Sequence, residues 1–225
     1  MKTKLTLVFL TVFTYFSFAQ WQPTKGLYSG SAYSVIISNN EIITGTDGVI
    51  YKSSDNGVTW RRSNNGLPSL ITYIRSLVKI NNRIVAGTDA GVYYSTDNGD
   101  NWISSGLSNT VSVYDIAIKG SDLFIATNQN PVYKSTDDGS TWTALDFSSF
   151  PNPDIMTCLT VKGNDLYTAG YGGTVYKSTD NGVNWTQSYS GPPFYVILTM
   201  VTAGNDILFG TDGGGIFKTT NDGVN

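Results

Sequence analysis

Ser53-Ser54-Asp55-Asn56-Gly57-Val58-Thr59-Trp60 is the stretch whose reading decides the fold. It returns as STDNGDNW over 95–102, STDDGSTW over 135–142 and STDNGVNW over 178–185, and once more as TTNDGVN over 219–225. The shared pattern is [S/T]-x-[D/N]-x-G-x-[T/N]-W. Ser53, Asp55, Gly57 and Trp60 thus recur as Ser95, Asp97, Gly99 and Trp102, as Ser135, Asp137, Gly139 and Trp142, and as Ser178, Asp180, Gly182 and Trp185. Each copy reads as a tight hairpin turn. The carboxylate accepts hydrogen bonds from N–H groups of its own turn. The glycine supplies a positive φ that other residues resist. The hydroxyl ties the two arms, and the tryptophan covers the turn with a large apolar face. Near-identical copies spread along a chain suit a folding staple better than a catalytic carboxylate, and DxDxDG calcium spacing is absent.

Strand signals precede each turn, as in Val132-Tyr133-Lys134, Val175-Tyr176-Lys177 and Ile216-Phe217-Lys218. β-Branched and aromatic residues fit a pleated, half-buried surface. The first hydroxyl residues, Ser53, Ser95, Ser135, Ser178 and Thr219, stand 40 to 43 residues apart. A period of that length with four short strands per unit matches a propeller blade. One unit reads as strand A (Tyr33 to Ile37), a turn at Asn39-Asn40, strand B (Glu41 to Gly45), a turn at Thr46-Asp47-Gly48, strand C (Val49 to Lys52), the repeated turn, and strand D from Trp60. Strands stacked between neighbouring sheets should be apolar on both faces, and the B strands largely are. The expectation is an all-β propeller of four-stranded antiparallel blades, with about five repeats near 20–60, 61–102, 103–142, 143–185 and 186–225.

The motif and its period resemble the Asp-box, or bacterial neuraminidase repeat, family of β-propellers, over nearly the whole of residues 20–225. Within it the chain also resembles the photosystem II assembly-factor-like propellers of secreted bacterial proteins. The resemblance implies that the boxes sit between the third and fourth strands of each blade, away from any active face. It also implies six or more blades, and with it an incomplete ring. The alternative is a five-blade ring in which Gln20-Trp21-Gln22 supplies the last outer strand.

Residues 1–19 read as a secretory signal peptide. Lys2 and Lys4 precede an apolar run from Leu5 to Phe18, and Ser17-Phe18-Ala19 puts small residues before a cut at Gln20. The run is short of the roughly 20 residues of a membrane span. The Ser-Phe-Ala-Gln junction resembles those of Bacteroidetes secreted proteins. The expected location is therefore secreted or cell-surface, with no membrane partner after cleavage. The net charge of −3, which becomes −5 without Lys2 and Lys4, argues against nucleic acid as a partner. One cysteine, Cys158, and no histidine make a disulfide framework and a zinc site unexpected. No metal and no cofactor is expected, and Cys158 reads as a buried thiol.

Positions that differ between repeats are free to serve a ligand. In a propeller the D–A and B–C loops share one face, away from the boxes. The variable loops on that face, 61–74, 103–113, 143–156 and 186–197, hold Tyr73, Phe147, Phe150, Tyr189, Phe194 and Tyr195. The first position of strand A reads Tyr33, Arg75, Tyr114, Thr157 and Leu198, an unlike set that should ring the channel mouth. The binding candidates are Tyr73, Arg75, Tyr114, Asp115 and Tyr195, with a glycan or an extracellular protein as partner. Aromatic faces stack on sugar C–H groups, and neutral polar groups read hydroxyls.

Two enzymatic readings stand beside this one. A sialidase resemblance implies three converging arginines, a Tyr–Glu nucleophile pair and an acid Asp. The four arginines, Arg61, Arg62, Arg75 and Arg83, fall on different faces, and Glu41 is the only glutamate. A two-aspartate glycosidase, as in xyloglucan-active propellers of the same superfamily, would use Asp115 and Asp154, with Asp146 behind. Asp47, Asp89 and Asp212 recur in one B–C turn and are assigned to turn chemistry. A third reading is a structural or adhesive repeat scaffold.

Overall fold

A computed structural model describes residues 24, 27, 30–147, 155–190 and 195–223. Trp21, Phe150, Asp154 and Phe194, and the proposed leader 1–19, lie outside the described residues. Among the described residues every regular element is a strand. Blade 1 comprises β1 (Ala32–Ser38), β2 (Glu41–Thr46), β3 (Ile50–Ser53) and β4 (Arg61–Arg62). Blade 2 comprises β5 (Ile74–Ile80), β6 (Arg83–Thr88), β7 (Gly91–Ser95) and β8 (Ile103–Ser104). Blade 3 holds β9 (Val113–Lys119), β10 (Asp122–Thr127), β11 (Val132–Ser135) and β12 (Thr143–Ala144). Blade 4 holds β13 (Met156–Lys162), β14 (Asp165–Gly170), β15 (Thr174–Ser178) and β16 (Thr186–Ser190). Blade 5 has β17 (Ile197–Ala203), β18 (Asp206–Thr211) and β19 (Gly215–Thr219). Each blade is an antiparallel meander in chain order, and the inner strands β1, β5, β9, β13 and β17 lie side by side. The sheets form an open arc, with the outer faces of blades 1 and 5 exposed. Tyr189, expected in a loop, is in β16 and pairs with Val175.

The core lies between blades. Ile43 and Ile50 of blade 1 meet Leu77, Ile84 and Tyr93 of blade 2 around Trp102. Phe124 and Val132 of blade 3 meet Leu166 and Tyr176 of blade 4 around Trp185, on which Phe147 stacks at 5.4 Å. Burial on both faces explains why β6, β10 and β14 are almost continuously apolar.

The repeated turns are built alike. Ser53 Oγ donates to Asp55 Oδ1 (2.8 Å) and accepts the Gly57 N–H (2.8 Å). Asp55 Oδ1 accepts the Thr59 N–H (2.8 Å), its Oδ2 the Thr59 hydroxyl (2.5 Å), and the Trp60 indole N–H donates to the Gly57 carbonyl (3.1 Å). The same bonds recur around Asp97, Asp137 and Asp180, except that Trp102 donates to the Ser63 carbonyl of the blade before it. These bonds hold Asp55 and Asp97 at pKa values of about 2. The Thr59 hydroxyl is the main cause at Asp55, whereas at Asp97 burial, the largest single effect, pushes upward and is outweighed by the bonds from Asn101 and Ser95 together.

The turns also join blades. The residue before each glycine, Asn56, Asn98, Asp138, Asn181 or Asp222, has φ between +55° and +61°. In four of the five it reaches the A–B hairpin of the preceding blade: Asn98 donates to Glu41 (2.6 Å), Asp138 accepts from Asn81 (2.9 Å), Asn181 from Lys119 and Asp222 from Lys162. A second seam links blades 1 and 2. Lys52, with its side chain 1 % exposed, pairs with Glu41 and Asp100 at 2.8 Å each, and Arg61 pairs with Asp100 at 2.7 Å. Lys134–Asp122, Lys177–Asp165 and Lys218–Asp206 occupy the corresponding places in blades 3 to 5. In blade 2 the pair is exchanged for Arg83 lying 4.7 Å over the Tyr94 ring.

Candidate functional site at the channel mouth

The five residues expected to ring the mouth share a backbone feature. Pairing between the A and B strands shifts at Ala32/Ser34, Ile74/Ser76, Met156/Cys158 and Ile197/Thr199, and at Ala126/Thr127 opposite Tyr114. Tyr33, Arg75, Tyr114, Thr157 and Leu198 are therefore the bulged residues of their blades. A bulge re-aims a side chain and ends regular pairing. It repeats in every blade, while the residue type on it changes.

Three blades combine their bulges into one cluster. The Tyr33 and Tyr73 rings meet edge-to-face at 5.7 Å. The Arg75 guanidinium lies 4.6 Å over Tyr73 and 4.8 Å over Tyr114, so the cation is held between two rings. Arg75 Nη1 is buried and has no hydrogen-bond partner among the described residues. Tyr33 and Tyr73 remain about 40 % exposed. Two carboxylates set the loops. Asp47 accepts the Tyr33 hydroxyl (2.7 Å) and the Ser31 N–H (2.8 Å), and the Tyr33 bond holds its carboxyl below the usual range. Asp89 accepts the N–H groups of Thr72 (3.0 Å) and Tyr73 (3.1 Å). These aspartates, expected to serve their own turn, instead anchor the loop leading into strand A. Asn128 does the same for Ser112 in blade 3.

Asp115 lies one residue deeper. Its carboxylate accepts the N–H of Leu159 in blade 4 (2.9 Å), its neighbour Ile116 N–H (2.8 Å) and the Ser76 hydroxyl of blade 2 (3.4 Å). Ser34 of blade 1 forms the equivalent tether to blade 2, accepting the Leu77 N–H at 2.9 Å. Burial nevertheless pushes Asp115 up to about 6. Cys158 sits at the same level, 1 % exposed, its thiol pushed by burial to about 12. Tyr195 is apart from the cluster, half-buried against Gly214 of blade 5. Phe147 is packed inside on Trp185. The arginines do not converge: Arg61 is on outer strand β4, and Arg83 bonds the Asp137 carbonyl on the face of the repeated turns. Among the described residues no three His, Cys, Asp or Glu side chains gather as a metal site. The bulge and the unpaired Nη1 of Arg75 had no sequence signal beyond the unlike residues at one repeat position.

Residues 33–150 match the family model of the Photosynthesis system II assembly factor YCF48, just over half of the chain. The chain belongs to that family of β-propellers. Residues 109–225 also match the model of the DUF6242 beta propeller domain. No curated protein matches the chain. Among solved structures, YCF48 bound to D1 peptide is similar at a TM-score of 0.64 and 16 % identity, over 84 % of this chain and 65 % of that one. An ancestral GH74 enzyme is similar at 0.70 and 21 %, over 91 % and 32 %. The extracellular domain of the putative one component system BT4673 from B. thetaiotaomicron is similar at 0.66 and 19 %, over 83 % and 26 %. At these identities the likeness shows the fold. The chain spans between about a quarter and two thirds of the length of these structures.

Proposed function

We infer that residues 20–225 form an exported, non-enzymatic binding propeller whose mouth takes a segment of extracellular protein or a glycan. The observation that carries this reading is Arg75, held between Tyr73 and Tyr114 with a buried N–H that no group among the described residues accepts. A buried donor without a partner is costly, and a ligand carbonyl, carboxylate or hydroxyl relieves that cost. The exposed rings of Tyr33 and Tyr73 add apolar area beside it. YCF48 solved with D1 peptide bound, and BT4673 as an extracellular domain, support a binding role on this fold. The test is a screen of immobilised glycans and peptides, repeated with Arg75→Gln and Tyr73→Ala. Ligands whose affinity falls at least tenfold in both variants, at unchanged melting temperature, support the reading. Ligands bound equally by wild type and both variants place the site elsewhere.

A glycoside hydrolase is the second reading. Asp115, with a pKa of about 6, suits a general acid, and GH74 enzymes share the fold. Its two backbone N–H bonds suit a tether between blades better. Reducing-sugar release that disappears in both Asp115→Asn and Asp154→Asn would establish hydrolysis; release unaffected by either would remove these residues from consideration.

A further inference from the structure

Asp47, Asp89, Asn128 and Asp212 hold one place in the B–C turn of blades 1, 2, 3 and 5. Blade 4 has Tyr171 there. The backbone is the same: the Tyr171 N–H donates to the Ile155 carbonyl (3.1 Å), as the Asp89, Asn128 and Asp212 N–H groups donate to Tyr73, Ser112 and Val196. Only the side chain differs. In blades 1 to 3 it accepts an N–H of the loop entering strand A, at Ser31, at Thr72 and Tyr73, or at Ser112. In blade 4 it is an aromatic ring, 45 % exposed. Gly172 and Gly173 follow it with φ of +27° and +66°, so the next two positions of the turn put no side chain beside the ring. The bulge of blade 4 contributes no side chain to the mouth. Thr157 is 8 % exposed, and its hydroxyl donates inward to the Ala169 and Ile197 carbonyls. Blade 4 thus offers its aromatic face from the B–C turn, where blades 1 and 3 carry theirs on the bulge, at Tyr33 and Tyr114.

Blade 3 lies between Tyr73 of blade 2 and Tyr171 of blade 4. Its two loops on the mouth face, 103–113 and 127–132, contain no charged residue. Asn109, Thr110, Gln129 and Asn130 are exposed on them. The Gln129 amide donates to the Thr110 carbonyl (2.9 Å) and so joins the two loops. The Ser108 and Thr110 hydroxyls lie 2.9 Å apart beside it. The surface of blade 3 is a floor of amides and hydroxyls, with an exposed aromatic ring beyond it on either side.

Each part of this arrangement matches a sugar. A pyranose has an apolar C–H face and a rim of hydroxyls. Aromatic rings cover the first. Amides and hydroxyls, which both donate and accept, pair with the second. An extended peptide takes an unpaired strand edge or an apolar groove instead, and the two loops of blade 3 offer neither. Packed sheets lie about 10 Å apart, so blades 2 and 4 stand about 20 Å apart across blade 3. One sugar ring cannot touch both.

We propose that the ligand of this face is an uncharged oligosaccharide laid across blade 3, with Tyr73 under one end and Tyr171 as a second stacking platform under the other. This assignment rests on the binding role of the Arg75 cluster and adds the class of ligand, its direction and its far contact. Arg75 supplies the one charged donor, through its unpaired Nη1, to a hydroxyl or ring oxygen at the near end. The amides of blade 3 read the hydroxyls between the two rings.

The test is calorimetric titration of the full chain with the neutral hexasaccharides of cellulose, xylan, mannan and amylose, and with the matching disaccharides. Wild type is compared with Tyr171→Ala, Tyr171→Asn, Tyr171→Phe and Arg75→Gln, each first shown to melt at the wild-type temperature or above. Asn is the residue of blade 3 at this turn, so that variant keeps the backbone and loses only the ring. At least one hexasaccharide should bind, and its disaccharide about tenfold or more weakly. Tyr171→Ala and Tyr171→Asn should each weaken the hexasaccharide about tenfold, the worth of one stacked ring, while Tyr171→Phe retains it. A hexasaccharide lost in Arg75→Gln but bound equally by the Ala and Asn variants overturns the second platform and leaves the Arg75 mouth standing. One bound equally by Arg75→Gln as well removes the mouth itself. A disaccharide that binds as tightly as its hexasaccharide overturns the crossing of blade 3. A wild type that binds none of the four hexasaccharides, or only oligogalacturonate or a peptide, overturns the class of ligand.

Discussion

Replacing Asp137 by alanine isolates what a repeated turn contributes. The carboxylate accepts three hydrogen bonds: from the Ser135 hydroxyl (2.8 Å), the Thr141 N–H (2.9 Å) and the Thr141 hydroxyl (2.7 Å). Thr141 is exposed, so water replaces the acceptor for its two donors at little cost. Ser135 is 2 % exposed and still receives the Gly139 N–H at 2.9 Å. Its own proton would be left inside without an acceptor. A buried unsatisfied donor costs about 1–3 kcal/mol, and the exposed bonds add little, so Asp137→Ala should destabilise by about 1–3 kcal/mol. For a chain of this size that is a fall in melting temperature of about 3–10 °C. Asp137→Asn keeps an acceptor for Ser135 and should lose less than half as much. Ser135→Ala combined with Asp137→Ala should cost less than the sum of the single changes, since the orphaned proton is then gone. The assay is urea unfolding followed by both tryptophan fluorescence and circular dichroism, with coincident transitions required. An alanine variant as stable as wild type, or strictly additive single and double variants, would refute the reasoning.

Asp115→Asn should flatten a slope in stability. With a folded pKa of about 6, raised by burial above the unfolded value, Asp115 binds its proton more tightly in the folded state. Stability should therefore fall as pH rises from about 4 to about 6, and the Asn variant should lack that slope and be more stable at pH 7; a variant with the wild-type profile would refute the assignment. The turn carboxylates act oppositely: Asp55, Asp97 and Asp222 have folded pKa values of about 2, so their contribution is full above the unfolded value and is lost as pH falls towards about 2, which acid titration of unfolding tests. Gly66→Ala and Gly106→Ala alter the same Gly-Leu pair at φ +89° and +78°, yet a Cβ on Gly66 would stand 2.0 Å from the Trp102 carbonyl oxygen, whereas one on Gly106 meets nothing within 4 Å. Thermal melts should show Gly106→Ala costing only the backbone strain of about 1–3 kcal/mol and Gly66→Ala clearly more. Glu41→Ala removes one of the two carboxylates paired with buried Lys52 and should cost about 1–3 kcal/mol by the same melts, against almost nothing for exposed Arg62→Ala.

The repeated turn carried most of the architecture. Because its period covers almost the whole chain, placing one blade placed the rest, and the observed strands lie within a residue or two of those read from Tyr33 to Trp60. Details that depend on pairing between segments were not legible. A bulge at Tyr33, Arg75, Tyr114, Thr157 and Leu198 leaves no mark on residue type, because its cause is a shift against the next strand. The partners of Asp47 and Asp89 lie about 16 residues away in sequence, so local turn chemistry was the wrong frame for them. One sign was present: Asn or Asp occupies the place before the turn glycine in all five copies, the types that best tolerate a left-handed backbone. Tyr189 carried loop-like neighbours, and its strand rests on pairing with Val175 of β15, with its ring packed on Phe209 at 5.7 Å.

That left-handed residue gives the molecule a direction in time. Asn98, Asp138, Asn181 and Asp222 all reach backwards, to a hairpin synthesised 57 to 62 residues earlier. A ribosome releasing the chain from its amino end exposes each receiving hairpin before the residue that grips it is made. Every new sheet therefore finds its template finished and waiting. Units that touch only their neighbours can grow by such sequential addition, so the order of translation is also the order in which the arc can be assembled.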